Sequence, residues 1–420
     1  MKKPNQLIAH CFRNEYGKMI SVITGYLGIE KVHTAEDIVQ ETLYRALQHW
    51  TFDGIPNNPE AWLYTTAKNL AINTVARSNN LQNIKSRLEL EMGDVKPTDG
   101  IDFSEGEIND SQLKMMMACC HAELSEDNRL ALILKILCGF SVKEIANAFF
   151  TNTETINKRL VRGRKKIRES SLDLDDLDKL EKHLDTMQQA IYLLFNEGYK
   201  SSQKNIQVRY DLCLEAVRLC ELLANSKSIE NKSEVYALLA LMFLNASRFQ
   251  ARMNSENTII ELSQQDRNLW DKSMRYKGLQ YLDWAIKDKK VSKYLILATI
   301  SANHCVAPSY NKTNWVEILR LYDTLLELEN SPVVRLNRAI AVSNVHGNQQ
   351  AIFELESLKD DFLSHRNHLY HATLAALYGD EKDEKKAIKH YKEAIALAST
   401  EIDKEFLKKK WEALVPISNS

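Results

Sequence analysis

The sequence predicts an all-α protein, and three observations lead there. Glycine and proline are scarce, 13 and 7 in 420 residues, well below average usage of about 7 % and 5 %. Apolar residues recur three and four positions apart through most of the chain, which is helical spacing and not the alternation of strands. Two capping boxes, Ser141-x-x-Glu144 and Thr151-x-x-Glu154, open successive helical patterns. The length allows two or three domains. No apolar run reaches the roughly 18 residues of a membrane span, and the start, MKKPNQLIAHCF, lacks a long apolar core and a small-residue cleavage site. A cytoplasmic protein with no membrane partner is expected. Seven cysteines, an odd number without framework spacing, are expected to be reduced thiols.

Taken in chain order, residues 34–50, TAEDIVQETLYRALQHW, predict a helix capped by Thr34. Ile38, Val39, Thr42, Leu43, Ala46, Leu47 and Trp50 form its buried face, and Asp37, Gln40, Glu41, Tyr44 and Arg45 point elsewhere. The segment TFDGIPNNP then predicts a loop, and EAWLYTTAKNLAINTVAR a second helix. Trp62, Tyr64, Lys68, Asn69 and Arg77 mix aromatic, amide and cationic groups there. That mixture suits single-stranded DNA, because aromatic faces stack on bases and cations hold phosphates. It also suits a helix core, and this helix alone does not decide between the two.

Charge divides the next two segments. Residues 81–110 hold three basic and eight acidic side chains, with Gly93, Pro97 and Gly100 denying them a continuous helix, and an acidic tether is expected. Residues 125–170 hold ten basic and five acidic side chains, although the whole chain carries only −1. A nearly neutral protein can bind nucleic acid when its charge is segregated in this way. Within 141–168 the first capping box opens a short helix with Val142, Ile145, Ala146 and Phe149 on one face. The second opens a helix whose Ile156, Leu160, Gly163 and Ile167 make one narrow inward stripe. Around that stripe stand Lys158, Arg159, Arg162, Arg164, Lys165, Lys166 and Arg168. A short helix, a tight turn and a cationic helix are the parts of a helix-turn-helix that enters a major groove.

An acidic hinge, 171–186, precedes a helical extension, 187–420. Late in it Ala339, Val342, Ala351 and Leu355 recur as Ala375, Tyr378, Ala387 and Tyr391, offset by 36 residues. Small residues at close helix crossings, with larger ones filling gaps, read as degenerate tetratricopeptide-like repeats lacking the usual Trp and Pro. Such stacked pairs commonly present a surface to protein. His365, His368 and His371 step three apart, which drifts round a helix and does not converge on a metal. Cys119 and Cys120 diverge on a helix, and Cys213 and Cys220 read as core. No phosphate loop, dinucleotide fingerprint or nucleophile motif is present, so no enzyme, cofactor or metal is expected.

The stretches AEDIVQETLYRAL and PEAWLYTTAKNLAINTVAR, followed by the helix-turn-helix, resemble an extracytoplasmic-function (ECF) sigma factor of bacterial RNA polymerase. The resemblance covers residues 5–170 and implies sigma region 2 over 1–80, the linker over 81–110 and sigma region 4 over 111–170. It implies partners as well: core RNA polymerase, through its β′ clamp and β flap, and promoter DNA. By the family pattern Asp37, Gln40 and Glu41 bind the clamp. Phe52 and Asp53 in the loop, with Trp62, Tyr64, Lys68, Asn69 and Arg77 behind it, capture the −10 element. Lys135, Thr155, Asn157, Lys158, Val161, Arg162, Arg164 and Lys165 face the −35 element. YLLFNEGY and LNRAIAV are similar to the ECF subgroup with a long tetratricopeptide-like extension, which implies regulation in cis and a surface for a regulatory protein. A repressor or activator with a helical sensor domain is the alternative. It would use the helix-turn-helix but would have no use for the region 2 motif.

Overall fold

The computed structural model describes residues 4–86, 100–121, 123–149, 151–169, 180–199, 206–252, 260–357, 367–398 and 401–414, and they are α-helical throughout with short connections. The chain divides into two compact units, Met1–Glu197 with Glu221–Glu230, and Gly198–Cys220 with Asn231–Ser420.

The first unit is built round α1, Pro4–Leu27, whose Met19, Ile20 and Ile23 are sealed from solvent. Gly28, at φ 95°, ends α1, and a single turn leads into α2, Val32–Phe52. Thr34 therefore lies inside α2 and does not cap it, because the turn delivers the chain into helical geometry two residues earlier. Leu47 also departs from expectation and is 46 % exposed, while Ile38, Val39, Thr42, Ala46 and Trp50 are buried. The loop from Asp53 precedes α3, Pro59–Ser86. Phe12 and Trp62 close on Trp50 with ring centroids at 5.6 and 5.7 Å, tying α1, α2 and α3 together.

The acidic segment is not a tether throughout. From Glu105 it forms α4, Glu105–Cys119, with Glu105 and Glu107 in the first turn where the helix dipole favours them. Its Leu113, Met116 and Met117 are buried, and the helix packs on α1. Helix α5, Glu126–Leu132, runs into a π-helical turn, Ile133–Leu137. Helices α6, Val142–Ala148, and α7, Thr153–Glu169, form the helix-turn-helix, and α8, Leu180–Tyr199, follows.

The second unit stacks antiparallel helices. Helix α9, Ile206–Asn225, spans the division between the units. Helix α10, Ser233–Ala246, is apolar on every side and is buried accordingly. Helices α11, Lys272–Ile286, and α12, Lys293–Val306, pack on it. Gly278 is a close-approach glycine, since a Cβ there would sit 2.7 Å from Leu244. Next come α13, Trp315–Leu328, α14, Pro332–His346, α15, Asn348–Ser357, α16, His368–Asp380, α17, Glu384–Leu397, and α18, Glu401–Leu414. Asp271, Ser292, Asn314, Ser331 and Asp383 cap α11, α12, α13, α14 and α17 through their side chains. All eight residues of the 36-residue repeat are buried. Ala351 and Ala387 let α15 and α17 approach their neighbours, and Tyr378 and Tyr391 fill the larger gaps.

Candidate nucleic-acid interface

The first of the two capping boxes forms as expected. Ser141 Oγ accepts from the Glu144 backbone N–H at 3.2 Å, and Glu144 Oε2 accepts from that of Ser141 at 2.8 Å. The second does not. Asn152 takes the place of Thr151, its Oδ1 accepting from the Thr155 N–H at 2.8 Å, so α7 starts one residue later. The inward stripe of α7 is Ile156, Leu160, Gly163 and Ile167, all buried. Gly163 is required there, because a Cβ would stand 2.6 Å from Leu132 Cδ1.

The cations of α7 fall into two groups. Arg159 pairs with Asp127 at 2.7 Å, Lys166 with Glu123 at 3.0 Å and Arg164 with Glu36 at 2.7 Å, so these three fix the helix to its own unit. Asn157, Lys158, Val161, Arg162 and Lys165 are exposed away from the apolar stripe, with Lys158 and Lys165 paired only within the helix, to Glu154 at 2.7 Å and Glu169 at 3.8 Å. Val161, at 64 % exposure, is an apolar side chain among polar ones, suited to a thymine methyl, as Arg162 is to a guanine edge. Thr155 is half-buried at the start of the helix.

Two residues expected on this face are not on it. Arg164 reaches the buried Glu36 of α2. Lys135 lies 5.2 Å from the Tyr16 ring of α1, and burial holds its ammonium below the ordinary lysine range. The π turn explains Lys135. Cys138 N–H bonds to Ile133 O, five residues back at 3.1 Å, and the wider turn re-aims the side chains within it. Arg13 of α1 pairs with Glu144 and lies 4.7 Å from the Phe140 ring. Gly17 passes so close to the Leu137 carbonyl that no Cβ fits between them. Helices α1 and α2 are thus latched to the helix-turn-helix by ion pairs and one close backbone contact.

The second candidate surface lies where α2 meets α3. Phe52 is 87 % exposed at the end of α2, followed by exposed Asp53. A cavity of about 240 Å³ nearby is lined by Arg45, His49, Trp62, Thr66, Asn69, Leu70 and Asn73. Trp62, Thr66, Asn69 and Asn73 form one ladder along α3, and exposed Arg77 is one turn further on. Two amides, an imidazole and an indole can together stack on a base and bond its edge. Arg45, His49 and Thr66 were not anticipated; the spacing from Trp62 could have indicated Thr66. Trp62 is also a packing residue, wedged against Trp50. Tyr64 and Lys68 are a correction. Two residues from Trp62, a side chain turns to the other side of the helix. Tyr64 donates to Glu15 of α1 and stacks on Phe103 at 4.5 Å, and burial first, then Glu15, raises its hydroxyl pKa. Lys68 helps to stabilise the Asp102 carboxylate, after the larger effect of Ser104.

Asp37, Gln40 and Glu41 are exposed along one side of α2, clear of its apolar stripe. Asp37 is 3.2 Å from His33 and Glu41 2.7 Å from Arg45, both within the helix and open to solvent, where such pairs contribute little. Cys119 and Cys120 are buried, and burial raises both thiols, that of Cys120 to about 12. His365 lies outside the described residues. His371 is 3.0 Å from His390, and no His, Cys, Asp and Glu group among the described residues is arranged to hold a metal. No helix among them is long and apolar enough to cross a membrane.

Comparison with known proteins finds three family models along the chain. Residues 11–80 match Sigma-70 region 2, residues 114–167 match Sigma-70 region 4, and residues 183–286 match a family of unknown function, DUF6596. An uncharacterized protein, R00370, from Rhizobium meliloti is 33 % identical over 77 % of this chain and 77 % of its own length. The ECF RNA polymerase sigma factor SigL from Mycobacterium tuberculosis is 31 % identical over 30 % of this chain and 68 % of its own length. EcfG from Rhodopseudomonas palustris, also an ECF RNA polymerase sigma factor, is 32 % identical over 32 % and 68 %. No solved structure matches the chain. With both sigma regions in order, an all-α fold and a long extension beyond them, the chain belongs to the ECF sigma factors of bacterial RNA polymerase, promoter-specificity subunits.

Proposed function

We propose that the exposed side of α7 reads the −35 element through Asn157, Lys158, Val161, Arg162 and Lys165. The α2–α3 groove, with Phe52 and Asp53 at its mouth and Asn69 and Arg77 along it, captures an unpaired base of the −10 element. Asp37, Gln40 and Glu41 engage the polymerase clamp. The observation that carries this reading is the sorting of charge on α7: Arg159, Arg164 and Lys166 pair with carboxylates of other elements, whereas Lys158 and Lys165 pair only within the helix, at the surface, on a face with Val161 at its centre and Arg162 beside it. Lys135 and Arg164 are held by α1 and α2. They can serve at the −35 element only when the two sigma regions part, and the latch between them is the step that polymerase binding would release. Run-off transcription with core polymerase and a library of promoter fragments tests the assignment. Transcripts that start at the same places with and without this protein would overturn it.

The extension regulates the sigma part in cis and offers a surface to a regulatory protein. What supports this is the length of ordered helix beyond Glu169, with Leu194 and Phe195 of the YLLFNEGY segment fully buried. Truncation after residue 175 is the test. An unchanged rate, salt dependence and promoter choice would refute cis regulation while leaving the sigma assignment intact.

A further inference from the structure

Seven buried donors in the second unit have no acceptor among the described residues, Trp411 Nε1 and six others. Arg248 Nε, Arg252 Nη1, Arg267 Nη2, His304 Nδ1 and the indole nitrogens of Trp270 and Trp315 are out of reach of solvent and make no hydrogen bond among the described residues. These six are not scattered. Arg248 donates to Tyr199 Oη at 2.8 Å, and the Arg252 guanidinium lies 3.7 Å from the same tyrosine ring. Arg248 and Arg267 stand 5.9 and 4.6 Å from the Trp270 ring, and His304 5.2 Å from that of Trp315. Arg275 joins from α11, 3.5 Å from the Cys305 carbonyl.

Folded proteins do not normally bury a guanidinium without a counter-charge. Here three, Arg248, Arg252 and Arg267, each keep a sealed nitrogen without an acceptor, and none of the three forms an ion pair among the described residues. The nearby carboxylates are already engaged. Asp266 accepts from Asn268 at 2.9 Å, Asp271 caps α11 at 2.9 Å, and Glu261 pairs with Lys410 at 2.6 Å. Closing the end of α12 accounts for part of the cluster, since Arg267 Nη1 donates to the His304 and Ala307 carbonyls at 2.5 and 2.8 Å. Arg248 Nη2 is likewise occupied, by Tyr199 and by Asn245 Oδ1 at 3.1 Å, which leaves Arg248 Nε, Arg252 Nη1 and Arg267 Nη2 without an acceptor. The local field is positive. Burial alone would raise the Tyr199 hydroxyl, yet Arg248 and Arg252 bring it below the ordinary tyrosine value. His304 is pushed down to about 4, by burial first and then by Arg248 and Arg267, so it contributes a donor and no charge.

We propose that this cluster is a binding site for a tetrahedral oxyanion: phosphate, free or as the phosphoryl group of a small metabolite. A planar carboxylate is satisfied by one guanidinium fork. Donors arriving from the end of α10, the 267–270 turn, α11 and the end of α12 fit an acceptor with oxygens pointing in several directions and close to two negative charges. Sealed donors of this kind are out of reach of a polymer backbone, which makes the ligand small. The site lies entirely in the second unit and does not depend on how the sigma part contacts DNA.

The test is titration of the full-length protein with inorganic phosphate, and separately with glucose 6-phosphate and succinate. Ionic strength is held constant with KCl, and heat and tryptophan fluorescence are recorded. Saturable binding of one of the two phosphates is expected, with a fluorescence change that Trp270→Phe removes and at least a tenfold loss of affinity in Arg252→Gln. Tighter binding of inorganic phosphate identifies the free ion, and tighter binding of glucose 6-phosphate a phosphorylated metabolite. Succinate binding as tightly as either would overturn the choice of a tetrahedral anion. The absence of saturable binding by any probe, or binding unchanged in both variants, would overturn the site. Circular dichroism establishes that each variant is folded, and should Arg252→Gln not fold, Trp270→Phe still decides the outcome.

Discussion

Replacing Gly17 by alanine puts two effects of opposite sign against each other. Gly17 lies in the middle of α1, where alanine adds about 1 kcal/mol through helix propensity alone. A Cβ at that position would stand 2.1 Å from the Leu137 oxygen and 2.7 Å from its carbonyl carbon, both backbone atoms that cannot swing aside. Overpacking of a fitted contact costs about 1–3 kcal/mol, and an obstacle in the backbone belongs at the upper end. The clash wins, and the net loss should be about 1–2 kcal/mol. For a unit of this size that is a fall of about 3–6 °C in melting temperature. Gly106→Ala is the control, because nothing lies within 4 Å of its Cβ, and calorimetry should show it unchanged or slightly more stable. Because Gly17 and Leu137 stand on either side of the latch, Gly17→Ala should also raise the affinity of the free protein for −35 duplex. A Gly17→Ala protein as stable as the wild type would show that α1 and the π turn do not meet closely, and would refute the latch.

Arg162→Ala should weaken −35 duplex binding by about 1–3 kcal/mol in a fluorescence-anisotropy titration, whereas Asn69→Ala should leave duplex binding alone and reduce open-complex formation seen by permanganate footprinting. Equal effects of the two on duplex binding would mean that the α2–α3 groove is not the −10 pocket. Alanine at Asp37, Gln40 and Glu41 together should abolish co-purification with the β′ subunit without changing the melting temperature, since all three are exposed. Retention of β′ by that variant would remove the clamp assignment. Finally, burial, and then His371, push His390 down to about 4. Its neutral form is the one compatible with the fold, so the stability it supports is complete above the ordinary histidine pKa of about 6.5 and drains as pH falls from there to 4. With its partial solvent access that is a loss on the order of 1 kcal/mol by pH 5, and His390→Asn should flatten the fall in urea midpoint over that window.

Local pattern was enough to identify the helices, the inward stripe of α7 and the family, because each depends on residues three, four or seven apart in one segment. Ile156, Leu160, Gly163 and Ile167 could be named from spacing, and so could the repeat from Ala339 to Tyr391. Caps were less legible. Asn152 and Thr151 are both good cap residues, and which one serves depends on how the turn from α6 delivers the chain. What only the tertiary structure decided is where each cation of the recognition helix goes. Arg162 and Arg164 look alike in sequence, yet one is open and the other is bound to Glu36, 128 residues away. Lys135 reads as a groove residue until a π turn and Tyr16 take it. Tyr64 and Asn69 lie close in sequence, and packing against α1 and Phe103 sends them to different sides of α3. Arg248 and Arg267, which meet at Trp270, give no sequence signal at all, because they stand 19 residues apart and come together only through the packing of the second unit. Helical periodicity is a property of one segment and survives in one dimension, whereas the partner of a charge is fixed by which segments fold against each other.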